Sequence, residues 1–360
     1  MSKNKPVTKK QRSKRKVVLL VIEVLILLIL LGVFYVAAKL SMIEKEDVDV
    51  SANASLNEET LEVMEGYTTI ALMGVDNRST GNYETGNSDS IMIVSINNET
   101  KEIKICSIYR DTYLNVGNDT FRKCNYAYAH GGYNQCLQML NTNLDLNIQD
   151  FVAVDFNALV DVVDLLGGID LELTSQEASI MNDKYIDQIV GLVGKSSSYV
   201  GSGMQHLDGV QALAYCRIRA TAGDDYKRAS RQRTVIKIMF DMVKQSDIAT
   251  INSIIDAVLP EIKTSLSTTQ ILSMASNVFS YSMGETDGFP FDKAGCDTLG
   301  SAVGAVVVPV TLETNVQQLH EFLYAEEEYE PSVTVQSISN EIIISTGLTL
   351  ENATLVQEDY

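Results

Sequence analysis

Histidine is scarce in this 360-residue chain, which has three, and its five cysteines (Cys106, Cys124, Cys136, Cys216 and Cys296) form no close C-x-x-C pair. Zinc needs clustered His and Cys ligands, so a zinc centre is not expected. Tryptophan is absent. Basic residues are short outside the first sixteen positions. Those sixteen, MSKNKPVTKKQRSKRK, hold eight Lys or Arg and no acid, while the rest sets 20 Lys or Arg against 47 Asp or Glu, a charge of -27. So acidic a body argues against nucleic acid as a partner. In an exported chain, an odd cysteine count leaves at least one thiol unpaired if the others form disulfides. Spacing does not give the connectivity.

Charge of either sign is nearly missing from Val17 to Ala38, VVLLVIEVLILLILLGVFYVAA, where Glu23 is the one charged residue. A run of about twenty-two apolar residues is long enough to cross a bilayer. The basic flank precedes it, so residues 1–16 are expected in the cytoplasm and the C-terminal bulk outside the cell membrane. A cleaved signal peptide ending near Val36-Ala37-Ala38 is the alternative. Residues 39–66 are acidic and aperiodic and read as an extracellular stalk. The folded body is expected over 67–325, followed by an acidic tail over 326–360 whose EIIIS segment hints at docking.

Within the body, TIALMGV (Thr69 to Val75) reads as a buried strand that ends at Gly74-Val75-Asp76-Asn77-Arg78. Ser88-Asp89-Ser90 opens a second strand, IMIVSI, which turns through Asn97–Thr100 into a third, EIKICSI. That third strand delivers Tyr109-Arg110-Asp111-Thr112. Asp76, Asp89, Arg110 and Asp111 therefore flank strand ends, where open α/β sheets place ligand crevices. A helix carrying Tyr133, Cys136, Leu137 and Leu140 inward follows, then another over Phe156 to Leu166, stopped by Gly167-Gly168 before the strand IDLEL. Glu172 to Val200 reads as a helix and a mobile excursion. Later helices break at Leu259-Pro260 and restart from a cap at Ser267. Strands and helices alternate, which predicts an α/β domain with a mixed central sheet.

The most informative stretch is GVQALAYCRIRATAGDDYKRASRQRTVIKIMFDM, Gly209 to Met242. Tyr215-Cys216-Arg217-Ile218-Arg219 alternates like a strand, with Arg217 and Arg219 on one side. From Asp225, read as an N-cap, a helix places Arg228, Arg231, Gln232 and Val235 on one face. Cations in a helix's first turn oppose its dipole, and an inward guanidinium is costly to desolvate, so an anion is expected among them. The competing reading is a solvated surface on which Asp224 and Asp225 pair with these arginines.

Seven segments together carry a resemblance: GVDNR (Gly74 to Arg78), SDSIMI (Ser88 to Ile93), SIYRDTY (Ser107 to Tyr113), KCNYAYAHGG (Lys123 to Gly132), DLLGGIDL (Asp164 to Leu171), LDGVQALAYCRIR (Leu207 to Arg219) and DYKRASRQR (Asp225 to Arg233). In this order and spacing, over roughly Tyr67 to Tyr324, the sequence resembles the LytR-CpsA-Psr family of envelope glycopolymer transferases. The resemblance implies a membrane-anchored enzyme on the outer face of a bacterial membrane. It would move an anionic glycopolymer (teichoic acid or capsular polysaccharide) from an undecaprenyl-pyrophosphate carrier to peptidoglycan, through a phosphodiester. Carried over by position, Asp76 and Asp89 would hold Mg²⁺, or Mn²⁺ in its place. Arg110, Arg217, Arg219 and Arg228 would grip the pyrophosphate, Asp225 and Gln232 would complete the site, and Arg231 and Asn125 match further motif positions. Tyr109 stands where proline is usual and Cys124 where an aliphatic residue is usual; neither replaces a charge.

The chemistry is consistent with the residues. Phosphoryl transfer from a pyrophosphate demands neutralised oxygens, which Arg forks and a hard divalent ion supply. Two alternatives share these residues: a polyprenyl-pyrophosphate phosphohydrolase with water as acceptor, and a non-catalytic polymer-binding or regulatory protein.

Overall fold

Side-chain alternation in consecutive strands sets the centre of the fold. The computed structural model describes residues 38–50, 53–75, 88–219 and 224–356. The chain divides into two units, Met1–Ile43 and Glu44–Tyr360. The second unit runs β1 (Glu44–Lys45), α1 (Glu58–Glu65), β2 (Tyr67–Val75), β3 (Ser88–Asn97), β4 (Glu102–Ile108), β5 (Tyr113–Asn115), β6 (Phe121–Lys123) and α2 (Asn125–Leu144). Next come β7 (Asp150–Val154), α3 (Phe156–Leu165), β8 (Ile169–Leu173), α4 (Ser175–Ile180), α5 (Ile186–Val193), β9 (Gly203–Leu207), α6 (Gly209–Arg217) and α7 (Asp224–Gln245). The last elements are α8 (Ile248–Val258), β10 (Ile262–Thr264), α9 (Thr268–Ser276), β11 (Ser282–Phe289), β12 (Lys293–Cys296), β13 (Val306–Pro309), α10 (Leu312–Tyr324) and α11 (Val333–Thr346).

The main sheet is mixed, in the order β1-β10-β7-β2-β3-β4-β11. β3 and β4 pair antiparallel, as the hairpin reading predicts, and β2 pairs antiparallel with β3, while β7 joins β2 and β11 joins β4 in parallel. On one face Ala71, Met73, Val75, Ile91, Ile93, Phe151 and Ala153 pack into the main core. The period of two turns Leu72, Gly74, Ser90 and Met92 to the other face, where they line a cavity. The expected IDLEL strand forms as β8 but pairs with β9 in a separate two-stranded sheet.

Residues 44–66 are not a free stalk. β1 adds a strand to the sheet edge, with Glu44 opposite Lys263 and Lys45 opposite Thr264. The Asn53 amide donates to the Asn141 and Leu146 carbonyls at 2.8 and 3.2 Å, satisfying acceptors around the end of α2. Asn57 then caps α1, accepting from Thr60 N–H at 2.8 Å. Residues 326–360 are likewise not a bare tail, because α11 buries Val335, Ile338 and Ile342 in the main core. The expected mobile excursion is pinned: Lys195 bridges Asp161 and Asp164 at 2.6 and 2.7 Å, and Ser197 donates to Asp208 at 2.6 Å. The apolar run from Val17, apart from Ala38, lies outside the described residues, and among the described residues no helix is long and apolar enough to cross a membrane.

Candidate active site

A cavity of about 180 Å³ opens between the sheet and the helices packed on it. Its walls are mostly hydrocarbon: Leu72 and Met92 from the sheet, Phe156 and Leu159 from α3, Leu213 from α6 and Ile236 from α7. Arg217, Arg219, Arg228 and Gln232 line the same cavity. An apolar space carrying guanidinium groups is a poor place for water and a good one for a molecule with a lipid tail and an anionic head.

Local sequence explains how each cation arrives. Asp208 and Gln211 form a capping box that starts α6, with Gln211 N–H donating to Asp208 at 2.8 Å and Gln211 Oε1 accepting from Asp208 N–H at 2.9 Å. Tyr215 to Arg217 is thus the last turn of a helix, which corrects the strand reading. Val210 to Cys216 is buried on every side, so the period of 3.6 leaves no polar stripe to betray it. Gly209 belongs there because a Cβ would collide with the Val160 backbone of α3. After Arg217 the chain turns extended at Ile218 (φ -55°, ψ 126°), which brings Arg219 back to the cavity wall. The Arg217 guanidinium lies 4.6 Å from the Phe156 ring centroid, a cation–π contact that holds it against α3.

α7 begins at Asp224, so Asp225 sits inside its first turn and is not the N-cap. Asp225 Oδ1 lies 2.7 Å from Arg228 Nη2 and 3.5 Å from Arg110 Nε, tying the helix cation to the one that comes after β4. Burial raises the Asp225 carboxyl above the ordinary aspartate value of 3.8; Arg228 opposes the shift, Asp111 adds to it, and Arg110 and Arg219 oppose it. Asp225 Oδ2 is buried without a hydrogen-bond partner among the described residues. Arg110 is fixed from behind, its carbonyl accepting from Asn125 N–H and from the Cys124 thiol, each at 3.2 Å. Asn125 therefore reaches the site through its backbone.

Arg231 does not join this group. Its Nε lies 2.9 Å from Glu177 Oε1 in a part-buried ion pair, and its Nη1 donates to the Ile218 carbonyl at 3.4 Å. Glu177 also accepts from Thr174 N–H at 3.0 Å, closing the capping box of α4, so this carboxylate serves two elements at once. Gln232 lines the cavity and donates to the Cys216 carbonyl at 3.5 Å. Asp76 and the side chains of Asp89 and Asp224 lie outside the described residues. Gly74 and Ser90, close to the first two in sequence, line the cavity.

Three features escape the sequence reading. Lys123 Nζ holds Asp111 at 3.1 Å beside Arg110. Lys293, almost fully buried, lies 5.3 and 5.1 Å from the ring centroids of Tyr109 and Tyr226. Those two rings meet edge to face at 4.7 Å, next to Arg110 and Asp225 in sequence. Gly288 leaves room for the Tyr109 hydroxyl, since a Cβ there would overlap it. No local pattern announces a contact between residues 109, 226 and 293. All five cysteines are free thiols, and burial pushes Cys216, on the cavity wall, up to about 12.

The LytR_cpsA_psr family profile matches residues 33–292. The chain belongs to the LytR_cpsA_psr family. Among relatives in this family, the polyisoprenyl-teichoic acid–peptidoglycan teichoic acid transferase TagU of Enterococcus faecalis (strain ATCC 700802 / V583) is 29% identical over 265 residues, covering 71% of this chain and 81% of TagU. The corresponding transferase TagV of Bacillus subtilis (strain 168) is 28% identical over 229 residues, 61% of this chain but only 55% of TagV. A solved structure of the LytR-CPS2A-psr family protein YwtF (TagT) with bound octaprenyl pyrophosphate lipid shares the fold. Its TM-score is 0.51 at 21% identity, covering 84% of this chain and 100% of that one. Arg217, Arg219 and Arg228, all within the matched span, line the cavity.

Proposed function

We propose that this chain is an extracytoplasmic transferase, anchored by Val17 to Ala38, that moves an anionic glycopolymer from an undecaprenyl-pyrophosphate carrier to peptidoglycan. The observation that carries this reading is the apolar cavity lined by Arg217, Arg219 and Arg228. The prenyl chain occupies the hydrocarbon walls, and the guanidinium forks neutralise the pyrophosphate. An acceptor sugar hydroxyl then attacks the polymer-side phosphorus. The new P–O bond forms as the bond to the bridging oxygen breaks, and polyprenyl monophosphate leaves with the electron pair. The hydroxyl proton passes to a carboxylate, for which Asp225 Oδ2 is the described candidate. Relatives bearing teichoic acid transferase names, and a fold relative holding a prenyl pyrophosphate, support the same reading.

The reading includes Mg²⁺, or Mn²⁺, on Asp76 and Asp89. Among the described residues no group of three His, Cys, Asp or Glu is placed to hold an ion. Chelation is expected to stop transfer and added Mg²⁺ to restore it; full activity in chelator removes the metal from the account.

Lipid-product analysis with and without peptidoglycan tests the reaction. Polyprenyl monophosphate released only with acceptor supports transfer. Equal release without acceptor means hydrolysis, and no release in either case means a binding protein.

A further inference from the structure

One helical turn beside the cavity holds an extra residue. α4 and α5 are joined by a helical turn, Met181–Tyr185, in which the Met181 carbonyl accepts from Ile186 N–H, five residues on. An α-helix would close that ring from Tyr185, four residues on. The wider π-turn is rare, and such turns occur frequently at functional sites.

The extra residue changes which side chain faces inward. Side chains four apart share a helix face, so in an unbroken α-helix Tyr185 would stand under Met181 in the core. Ile186 takes that place instead, since Met181 and Ile186 are both fully buried in the cluster that joins α3, β8 and α6. Tyr185 is turned aside, only partly buried, and lines the cavity. The turn packs against α6, whose Leu213 and Arg217 line the same cavity. Its outer side is anchored: the Asn182 side chain exchanges two hydrogen bonds with the Val200 backbone, each at 2.9 Å, and Ser179 Oγ donates to Asp183 at 3.1 Å.

Among the described residues the Tyr185 hydroxyl makes no hydrogen bond. A phenol set in a hydrocarbon wall needs an acceptor for its O–H. The cavity's arginines are donors only, and the Asp155 carboxylate on the wall is taken up by Ala158 N–H at the start of α3. The acceptor therefore comes with the ligand, and phosphate oxygens are what the arginines select. We propose that Tyr185 is a further binding residue of the cavity, donating its hydroxyl to a phosphate oxygen of the prenyl pyrophosphate that fills it. This rests on the transferase reading, which supplies the ligand, and the π-turn is the device that brings the hydroxyl to it.

The test compares full-length wild type and Tyr185→Phe, which removes one oxygen and keeps the ring, for binding of a short-chain prenyl pyrophosphate and of the prenyl alcohol of the same length. Tyr185→Phe is expected to bind the pyrophosphate about ten-fold more weakly, as loss of a hydrogen bond to a charged group does. It is expected to bind the alcohol nearly as wild type does and to keep the apo Tm, because no described residue uses the hydroxyl. Equal pyrophosphate affinity in the two proteins overturns the proposal. So does an equal loss for both ligands, or a lower apo Tm, since the hydroxyl then serves the wall or the fold. Pyrophosphate binding by wild type that Tyr185→Phe leaves unchanged removes Tyr185 alone, whereas a wild type that binds neither ligand removes the transferase reading and the role of Tyr185 with it.

Discussion

Arg228 Nη2 sits 2.7 Å from Asp225 Oδ1, one turn apart on α7, and the same carboxylate oxygen lies 3.5 Å from Arg110 Nε on a different element. One part-buried acid therefore sets the spacing of two cations, Arg110 and Arg228, that lie 118 positions apart in the chain. Its protonation is disfavoured by the arginines and favoured by burial, and burial wins.

Asp225→Asn keeps the shape and removes the charge. Transfer is expected to fall by about 10²-fold or more, as for other groups aimed at reacting atoms. Asp225 must be ionised to accept a proton, and its folded value is raised above 3.8. The wild-type rate should therefore fall as pH drops through that raised value, and the limb should vanish in the residual activity of Asp225→Asn. A limb that persists unchanged assigns the proton to another group.

Arg231 gives the opposite pattern. Arg231→Ala leaves the part-buried Glu177 carboxylate without its cation, at a cost of about 1–3 kcal/mol. Thermal unfolding should show that loss, while KM for the lipid carrier stays close to wild type. A raised KM with unchanged stability returns Arg231 to the anion site.

His206 links β9 to the turn after α3. Its Nδ1 faces Asp170 Oδ1 and its Nε2 the Gly167 carbonyl, both at 2.7 Å. The Asp170 contact, then the Gly167 carbonyl, raises the imidazole above its ordinary 6.5. The linkage has the sign of a raised base: the contribution is complete below 6.5 and is lost as pH rises through the folded value. His206→Asn should flatten the pH dependence of Tm in that window. An unchanged slope refutes the clamp.

Asp145 holds the C-terminal segment. Fully buried and left-handed (φ 50°), it accepts from Tyr329 Oη at 2.9 Å and from Ser332 N–H and Oγ at 2.7 Å each. Asp145→Ala leaves those donors unsatisfied and should cost about 3 kcal/mol or more in urea unfolding. A loss below about 1 kcal/mol, within the net worth of one ordinary hydrogen bond, contradicts this.

Sequence legibility tracks the range of the interactions involved. β2, β3 and β4 are readable because each is a short apolar run bounded by polar turn residues, and the Ser267 cap because its partner Gln270 is three residues away. Arg217, Arg219, Arg228 and Arg231 stand out because local rules disfavour them where they are, and Arg110 because it flanks a strand end. α6 is hidden by burial all round, although its Asp208–Gln211 box is legible. The 44–66 segment and α11 look like linkers because their partners, Lys263, Asn141 and Asp145, are over 80 positions away in sequence. Polar groups satisfied at that range leave no local mark. Lys293 between Tyr109 and Tyr226 is the same case inside the site.

The central claim is that one molecule occupies both the apolar cavity and its arginines. Its most direct test measures the affinity of the purified full-length chain for a prenyl pyrophosphate, beside apo Tm, in wild type, Arg217→Ala and Leu213→Trp, which fills the cavity from α6. Both variants are expected to bind about ten-fold more weakly or worse. Arg217→Ala should keep or raise its Tm, because one of several like charges has gone. Wild-type affinity in both variants, with a lower Tm for Arg217→Ala, would make the arginines structural and contradict the account.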